Sequence, residues 1–160
     1  MIIPAELSAL VVEDNDFART LAVDALKQLG LRSVHGAHDA IEGLRVIRDT
    51  KLDFILLDWY MNEINGAGFV QLVREGLAAC PPDTPIIICT AYATRENTAR
   101  IRELGIREIL IKPVDIKRLR TAISIAVSSY SPHKTSDVAA DPESVVAKDK
   151  KDERAEQILL

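Results

Sequence analysis

Hydrophobic residues along the chain alternate between two patterns. Short runs dominated by Val, Ile and Leu are followed by longer stretches in which apolar residues recur every three or four positions. The first pattern is typical of buried strands and the second of helices with one apolar face. The alternation occurs five times, and it predicts strands at residues 9–12, 33–37, 54–57, 86–89 and 108–111, each followed by a helix.

Three of the five predicted strands are nearly unbroken runs of Val, Ile and Leu. Strands of this kind are buried on both faces, as in a parallel sheet covered by helices on each side. Parallel neighbours also need long crossover connections, which the intervening helices supply. The fold class expected is therefore α/β, with a five-stranded parallel sheet and helices on both faces.

Several residues predict where the helices begin and end. Gly30 and Gly105 stand where a left-handed C-cap would end the first and fourth helices, the latter at about residues 94–104. Asp39 is expected to cap the second helix, and the fifth begins near Asp115. The apolar stripe of the third helix continues to Leu77, before two prolines forbid continuation. The first helix is expected to bury a stripe formed by Ala18, Leu21, Ala22, Ala25 and Leu29.

The pattern stops after Tyr130. Residues 131–160 are rich in charged side chains and contain no aromatic residue, so they bury too little apolar surface to offset the entropy of ordering. We expect one domain at residues 1–130 and a charged tail at 131–160. The tail is expected to be flexible or to form a short helix, because Asp141-Pro142 resembles a helix start.

Composition narrows the class of protein. The 160 residues carry a net charge of -4, which argues against nucleic acid as a partner. No apolar run is long enough for a membrane helix, and no signal peptide is evident, so a cytoplasmic location is expected. The two cysteines, Cys80 and Cys89, form no CxxC pattern and indicate neither a disulfide framework nor a zinc site.

Polar residues that can do chemistry follow four of the predicted strands. These residues are Glu13, Asp14, Asp58, Thr90 and Lys112. The carboxyl ends of parallel strands meet at one edge of the sheet, so these side chains are expected to converge. One carboxylate such as Asp14 could serve merely as a helix cap, but four coincidences favour a site.

Such a cluster has a definite electrostatic character. Two carboxylates about 4 Å apart repel by roughly 4 kcal/mol at an effective dielectric near 20, so the cluster either raises its pKa values or binds a cation. Hard oxygen ligands favour Mg²⁺. With Lys112 and Thr90 available for phosphate oxygens, Asp58 is a candidate nucleophile for phosphoryl transfer.

Between residues 6 and 130 the chain resembles the receiver domains of two-component response regulators, the CheY-like domains. The matching stretches are Leu10-Val11-Val12-Glu13-Asp14-Asn15, Ile55-Leu56-Leu57-Asp58-Trp59-Tyr60-Met61, Gly66, Thr90-Ala91 and Lys112-Pro113. The resemblance implies a (βα)5, flavodoxin-like topology with strand order 2-1-3-4-5. It also implies a phosphoacceptor regulatory protein in a phosphorelay rather than an enzyme with a separate substrate.

The resemblance assigns a role to each matching residue. Asp58 would accept a phosphoryl group from a histidine kinase or a histidine phosphotransfer protein. Asp14 and Asp58 would ligate Mg²⁺, Glu13 would act largely through water, and Tyr60 would offer its backbone carbonyl.

The remaining roles concern the phosphoryl oxygens and access to them. Thr90 and Lys112 would bind these oxygens, and a cis peptide bond before Pro113 would aim the lysine at the site. Tyr60 and Tyr92 are expected to flank the acyl phosphate and obstruct water, which predicts slow self-dephosphorylation. The alternative is that both rings lie on the surface and point away from the site.

Departures from the family pattern bear mainly on signalling. Ile109 stands where the family usually has the Tyr or Phe that follows Thr90 toward the phosphate, so Tyr92 in the following loop is an alternative switch residue. Val114 replaces the usual Phe after Lys-Pro. Three further departures, Asn62, Ile64 and Asn65, touch no reacting group.

Partners are expected at the surface of the fourth helix, fifth strand and fifth helix. Basic residues concentrate there, among them Arg95 and Arg118, although acidic residues intervene. This face is expected to dock a target protein or a second copy of the chain. No output module fits in the 30 residues after Tyr130, so a stand-alone receiver acting through protein contacts is expected.

Other readings of the residues stay open. A pseudo-receiver that binds partners without phosphorylation is the main alternative, because of Ile109. An aspartate-dependent phosphohydrolase of the haloacid dehalogenase type would need an acidic pair after Lys112, where only Asp115 stands. A flavin binder would need a phosphate-cradling loop after the first strand. His35 and His38 have no third metal ligand nearby in sequence and are expected to be loop histidines.

Overall fold

Five parallel strands form one sheet in the order β2-β1-β3-β4-β5, and this confirms the expected fold class and strand order. The structure is a computed structural model and describes residues 2–61 and 65–129. The strands are β1 Ser8–Val12, β2 Ser33–Ala37, β3 Phe54–Asp58, β4 Ile86–Thr90 and β5 Glu108–Ile111. The helices are α1 Asp16–Gln28, α2 Ala40–Asp49, α3 Gly66–Arg74, α4 Arg95–Glu103 and α5 Ile116–Ser128.

Alternate residues of each strand enter two separate apolar layers. Leu10 and Val12 pack in a cluster with residues of α2, α3 and α4, such as Phe69. Ala9 and Val11 pack in a second cluster with residues of α1 and α5. Three helices therefore cover one face of the sheet and two cover the other, which explains why the central strands β1, β3 and β4 are buried along their whole length.

Local capping chemistry sets the helix boundaries. Asp39 accepts a hydrogen bond from the Glu42 N–H at the start of α2, and Asp115 caps α5. Gly30 and Gly105 have φ of +89° and +82°, the left-handed conformation in which glycine ends a helix without steric cost. These four boundary predictions are confirmed.

The third helix ends earlier than its apolar stripe predicts. It stops at Arg74, and Gly76 follows with φ of +74°. The Leu77 N–H then donates to the Leu72 carbonyl at 2.8 Å, so the chain turns back and Leu77 is buried from outside the helix. The prolines after it are not what ends α3.

The first helix also differs from its predicted stripe. Leu26 and Leu29 are buried, but Leu21 is 54% exposed. The predicted tail, residues 131–160, and two departures from the family pattern, Asn62 and Ile64, lie outside the described residues. Within the described residues, no helix combines the length and the hydropathy needed to cross a membrane.

Candidate functional site

The strand register brings the predicted polar residues to one edge of the sheet. Val12, the last residue of β1, pairs with Ala37 and Leu57. Asp58 and Thr90 prove to be the final residues of β3 and β4, pairing with Cys89 and Ile111. Glu13 and Lys112 follow β1 and β5 directly, so the four strand ends lie side by side.

Glu13 is held by its backbone and by both carboxylate oxygens. Its N–H donates to the Ala37 carbonyl at 3.0 Å, and its side chain is buried. Oε1 accepts from the Asn15 N–H at 3.2 Å, and Oε2 accepts from Lys112 Nζ at 2.6 Å. The side chain of Asn15 caps α1, so the acidic loop and the helix start form one bonded unit.

Asp58 lies at the centre of the site and is only 6% exposed. Its Oδ1 accepts from the Tyr60 N–H at 3.3 Å and lies 3.3 Å from Lys112 Nζ. Behind it, a Cβ on Gly66 would lie 3.0 Å from the Asp58 carbonyl oxygen. The backbone of α3 therefore approaches the end of β3 as closely as the absence of a side chain permits.

Lys112 joins the two buried carboxylates. Its backbone N–H donates to the Thr90 carbonyl at 2.9 Å, which continues the β4–β5 ladder, and a cis peptide bond links it to Pro113. Thr90 is fully buried, and its Oγ1 accepts from the Tyr92 N–H at 3.0 Å. A cation and a hydroxyl therefore stand beside Asp58.

The carboxylates form a compact group of oxygen ligands. One oxygen from each of Glu13, Asp14 and Asp58 lies within 4.8 Å of the others. Burial, together with the charge of Glu13, raises the pKa of Asp58 from 3.8 to about 7, although Lys112 acts in the opposite direction. Burial would lower the pKa of Lys112, but its hydrogen bond to Glu13 and the charges of Asp58 and Glu13 outweigh this and raise it.

This balance fits a divalent cation. The three carboxylates carry excess negative charge at a largely buried site. The charge of Lys112 does not fully offset it, so the pKa of Asp58 stays raised. A hard cation bound to the three carboxylates would remove that penalty, and Mg²⁺ prefers such oxygen ligands.

Two tyrosines border the site on the side of α3 and α4. The rings of Tyr60 and Tyr92 meet edge to face, with centroids 5.6 Å apart and planes at 89°. The Asn97 amide bridges them, since Nδ2 donates to the Tyr60 hydroxyl and, at 3.1 Å, to the Tyr92 carbonyl. The rings are 47% and 64% exposed, so they form an outer rim rather than part of the core.

Comparison with known proteins agrees with this geometry. The family model of the response regulator receiver domain matches residues 9–124. The chain belongs to the receiver domain family. Its domain is therefore CheY-like and regulatory in kind, which implies two-component signalling.

Similar proteins include both short and long chains. The probable chemotaxis protein CheY of Rhizobium etli is 32% identical over 126 residues, which cover 77% of this chain and 94% of that protein. The transcriptional regulatory protein GlrR of Escherichia coli K12 is 35% identical over 113 residues, 67% of this chain but only 24% of that protein. Among solved structures, Vibrio cholerae CheY4 has a TM-score of 0.69 at 25% identity, covering 76% of this chain and 99% of that one.

Within this receiver domain, Ile109 has no part in the polar site. It pairs with Ile88 in the sheet and is half-buried against the apolar layer of α2, α3 and α4. An aliphatic side chain there offers no hydroxyl and no ring that could follow Thr90. Tyr92 is the better candidate for a switch residue, because its N–H already donates a hydrogen bond to the Thr90 hydroxyl.

A 510 Å³ cavity lies between α1 and α5 and reaches the polar site. Small side chains border it, including Ala18, Ala22 and Val114, and Asp58 and Lys112 are at one end. A side chain larger than Val114 at this position would reduce the volume of the cavity.

A second group of potential metal ligands has a local explanation. His38, Asp39 and Glu42 lie together at the start of α2. Asp39 Oδ1 accepts from the Glu42 N–H at 2.7 Å, and Glu42 Oε2 accepts from the His38 N–H at 3.0 Å. This exchange resembles a capping box, which stabilises a helix start without a metal. His35 is a half-buried residue of β2, so the prediction of a loop histidine is wrong for His35.

Two residues at the site escaped prediction from sequence. Asn97 lies within α4, where helical periodicity marks it only as a polar surface position. Arg19 lies in the first turns of α1, yet its guanidinium bonds to the Glu13 carbonyl at 2.9 Å. Neither residue follows a strand. The search for polar residues at strand ends, which identified the other site residues, therefore did not identify these two.

Proposed function

We propose that this receiver accepts a phosphoryl group on Asp58 from a phosphohistidine of a histidine kinase or phosphotransfer protein. The observation that supports this most directly is the buried Asp58 carboxylate, with Lys112 Nζ 3.3 Å away and Thr90 on the neighbouring strand. A carboxylate oxygen would attack phosphorus as the phosphorus–nitrogen bond to imidazole breaks, and the histidine would leave with a proton. Lys112 and the Thr90 hydroxyl would neutralise and orient the phosphoryl oxygens.

Glu13, Asp14, Asp58 and the Tyr60 carbonyl would hold Mg²⁺. Receiver domains generally bind Mg²⁺ at acidic residues, and the three carboxylates here are close enough to share an ion. When bound, the ion would supply positive charge next to the transferred group. The protein's contribution is to keep the carboxylates together and largely out of water.

Signalling would proceed through altered protein contacts. Exposed apolar residues occur at the end of β5 and the start of α5, where Ile111 is 54% and Ile116 is 39% exposed. The basic residues Arg95 and Arg118 lie on α4 and α5. These features support the α4–β5–α5 face as the surface for a target or a second copy. Charge reversal of Arg95 and Arg118 should weaken that binding or self-association, and unchanged binding would count against the assignment.

The phosphodonor would dock beside α1 rather than on the α4–β5–α5 face. Phe17 and Leu21 on α1 are 73% and 54% exposed and border the cavity that reaches Asp58. They offer an apolar contact surface beside the acceptor. Phe17→Ser should slow phosphotransfer from a donor protein while leaving Mg²⁺ binding unchanged.

The first test uses Trp59, which is buried next to Asp58 and is the only tryptophan. Its fluorescence is followed while Mg²⁺ and then beryllofluoride, a phosphoryl mimic, are added. Saturable responses to both are expected, with the beryllofluoride response lost in Asp58→Asn. Intact mass after incubation with a phosphorylated donor should show one added phosphoryl group in the parent and none in the variant.

The competing proposal is a pseudo-receiver that binds partners without phosphorylation. Ile109 is the observation that favours it, because the aromatic switch residue is missing. A folded protein that responds to neither Mg²⁺ nor beryllofluoride would support that alternative. The domain boundary at residue 130, the cytoplasmic location and the stand-alone arrangement stay predictions.

A further inference from the structure

Arg19 joins the acidic loop to the first helix by two bonds. Its NH1 donates to the Glu13 backbone carbonyl at 2.9 Å, and its NH2 donates to Asp16 Oδ1 at 2.6 Å. The Arg19 side chain is 22% exposed, whereas the Asp16 side chain is 89% exposed. The Arg19 side chain is therefore mostly covered by the protein, and one of its two hydrogen bonds reaches the acidic loop.

The stem of Arg19 lies against β2. A Cβ built on Gly36 would lie 3.3 Å from Arg19 Cδ and 3.6 Å from Cγ. Only glycine at this position leaves the stem its full space. The arginine thus reaches the loop along a fixed path between α1 and β2, with its apolar part packed and its charged end bonded.

These contacts hold the peptide groups on both sides of Glu13. Its N–H is bonded to the Ala37 carbonyl of β2, and its carbonyl is bonded to Arg19. The Glu13 carbonyl belongs to the planar peptide unit that continues into Asp14. A bond to this carbonyl therefore restricts the orientation of that plane and, with it, the position of the Asp14 Cα from which the side chain extends.

We infer that Arg19 is a positioning residue for the cation site, acting through the Glu13–Asp14 peptide rather than by contact with the cation or the phosphoryl group. This inference rests on the proposed function, because it needs the carboxylates to bind Mg²⁺. Arginine suits the role because its planar fork can hold the carbonyl and the Asp16 carboxylate at once. A lysine would supply the charge without this geometry.

The direction in which Mg²⁺ affinity changes when Arg19 is removed distinguishes a positioning role from a purely electrostatic one. Removal of a positive charge near a cation site should strengthen cation binding if charge alone matters. Loss of a positioning contact should weaken it, and outer contacts of metal ligands typically contribute roughly 10- to 100-fold in affinity. The two explanations therefore predict opposite results for the same variant.

The experiment is a Mg²⁺ titration followed by Trp59 fluorescence, on the full chain and its variants. Arg19→Ala and Arg19→Lys are both expected to bind Mg²⁺ about 10-fold or more weakly than the parent. Arg48→Ala is the matched control, because Arg48 lies in the last turn of α2 and pairs with the exposed Asp49 at 3.5 Å. It should leave the affinity unchanged, and circular dichroism confirms that each variant is folded.

A double-mutant cycle with Gly36 tests the path of the stem. Gly36→Val should displace Arg19 and weaken Mg²⁺ binding several-fold in the parent, but it should have no further effect in the Arg19→Ala background. If Arg19→Ala fails to fold, the Gly36→Val and Arg19→Lys single variants still test the inference, because full Mg²⁺ affinity in either one would overturn it.

The outcomes are distinct. Unchanged or tighter Mg²⁺ binding by folded Arg19→Ala, full affinity in Arg19→Lys, or additive effects of the Gly36 and Arg19 substitutions would each overturn the inference while leaving the proposed function intact. A parent protein with no saturable response would overturn the proposed function, and this inference with it.

Discussion

Ionised Asp58 should destabilise the metal-free protein, so Asp58→Asn should stabilise it. The pKa of Asp58 rises from 3.8 to about 7 on folding, because of burial and the charge of Glu13. The folded protein therefore binds more protons than the unfolded chain between about pH 4 and pH 7 and loses stability as the pH rises through that window. At 1.36 kcal/mol per pKa unit, the cost reaches about 4 kcal/mol near pH 8.

The asparagine variant keeps the shape of a protonated aspartate and loses this cost. Denaturant unfolding in EDTA should show it more stable than the parent by up to about 4 kcal/mol near pH 8, and by little near pH 4. Saturating Mg²⁺ should stabilise the parent more than the variant and so narrow the difference. The same substitution at Asp24, exposed on α1, should change stability by no more than about 0.5 kcal/mol.

One result would refute the reasoning. If Asp58→Asn were no more stable than the parent in EDTA near pH 8, ionised Asp58 would carry no penalty, and the charge-based case for a cation at this site would fail. A gain of the same size at both ends of the pH range would also contradict it. In that case the stabilisation would come from something other than the Asp58 charge.

Three further predictions concern neighbouring residues. Lys112→Met leaves the buried carboxylates of Glu13 and Asp58 without the lysine ammonium and should lower the free energy of unfolding in EDTA by roughly 3 kcal/mol or more. In a double-mutant cycle measured by denaturant unfolding, Asp58→Asn should restore part of this lost stability. Gly66→Ala places a methyl group 3.0 Å from the Asp58 carbonyl oxygen. It should lower the free energy of unfolding by about 1–3 kcal/mol and shift the Trp59 emission. Unchanged stability and emission would mean that α3 moves away from β3 without cost. Tyr60→Ala/Tyr92→Ala should lose the phosphoryl group faster than the parent by intact mass over time, and equal lifetimes would show that the rings do not restrict water.

The fold was predictable because the three central strands, β1, β3 and β4, are buried on both faces. Residues such as Leu10 and Ile88 enter one apolar layer while their neighbours enter the other, so the sequence shows unbroken apolar runs. The errors arose where one apolar residue fits two structures. Leu77 extends the stripe of α3 but packs after the helix has ended at a left-handed Gly76, and Leu21 has helical spacing but stays exposed.

The strand-end rule found the polar residues of the site but not their connections. Asp58 and Lys112 are 54 positions apart in the sequence. Only the parallel register of the strands shows that their side chains come into contact. Arg19 and Asn97 lie on helices, where an isolated polar residue is most often a surface residue. Their importance depends on hydrogen bonds to backbone carbonyls and a tyrosine hydroxyl, which no pattern of residue types specifies.

The contacts of Thr90 favour the β4–α4 loop as the route by which the site influences the surface. Its Oγ1 accepts from Tyr92, whose carbonyl accepts from Asn97 on α4, and Asn97 also bonds to Tyr60 beside Asp58. A shift of Thr90 toward a phosphoryl group would pull on this set of hydrogen bonds. Because Ile109 has no polar group to join these hydrogen bonds, we expect the connection from the phosphoacceptor to the surface to run through α4 instead of β5. Signalling that survives without an aromatic residue at position 109 is therefore compatible with the chemistry of this site.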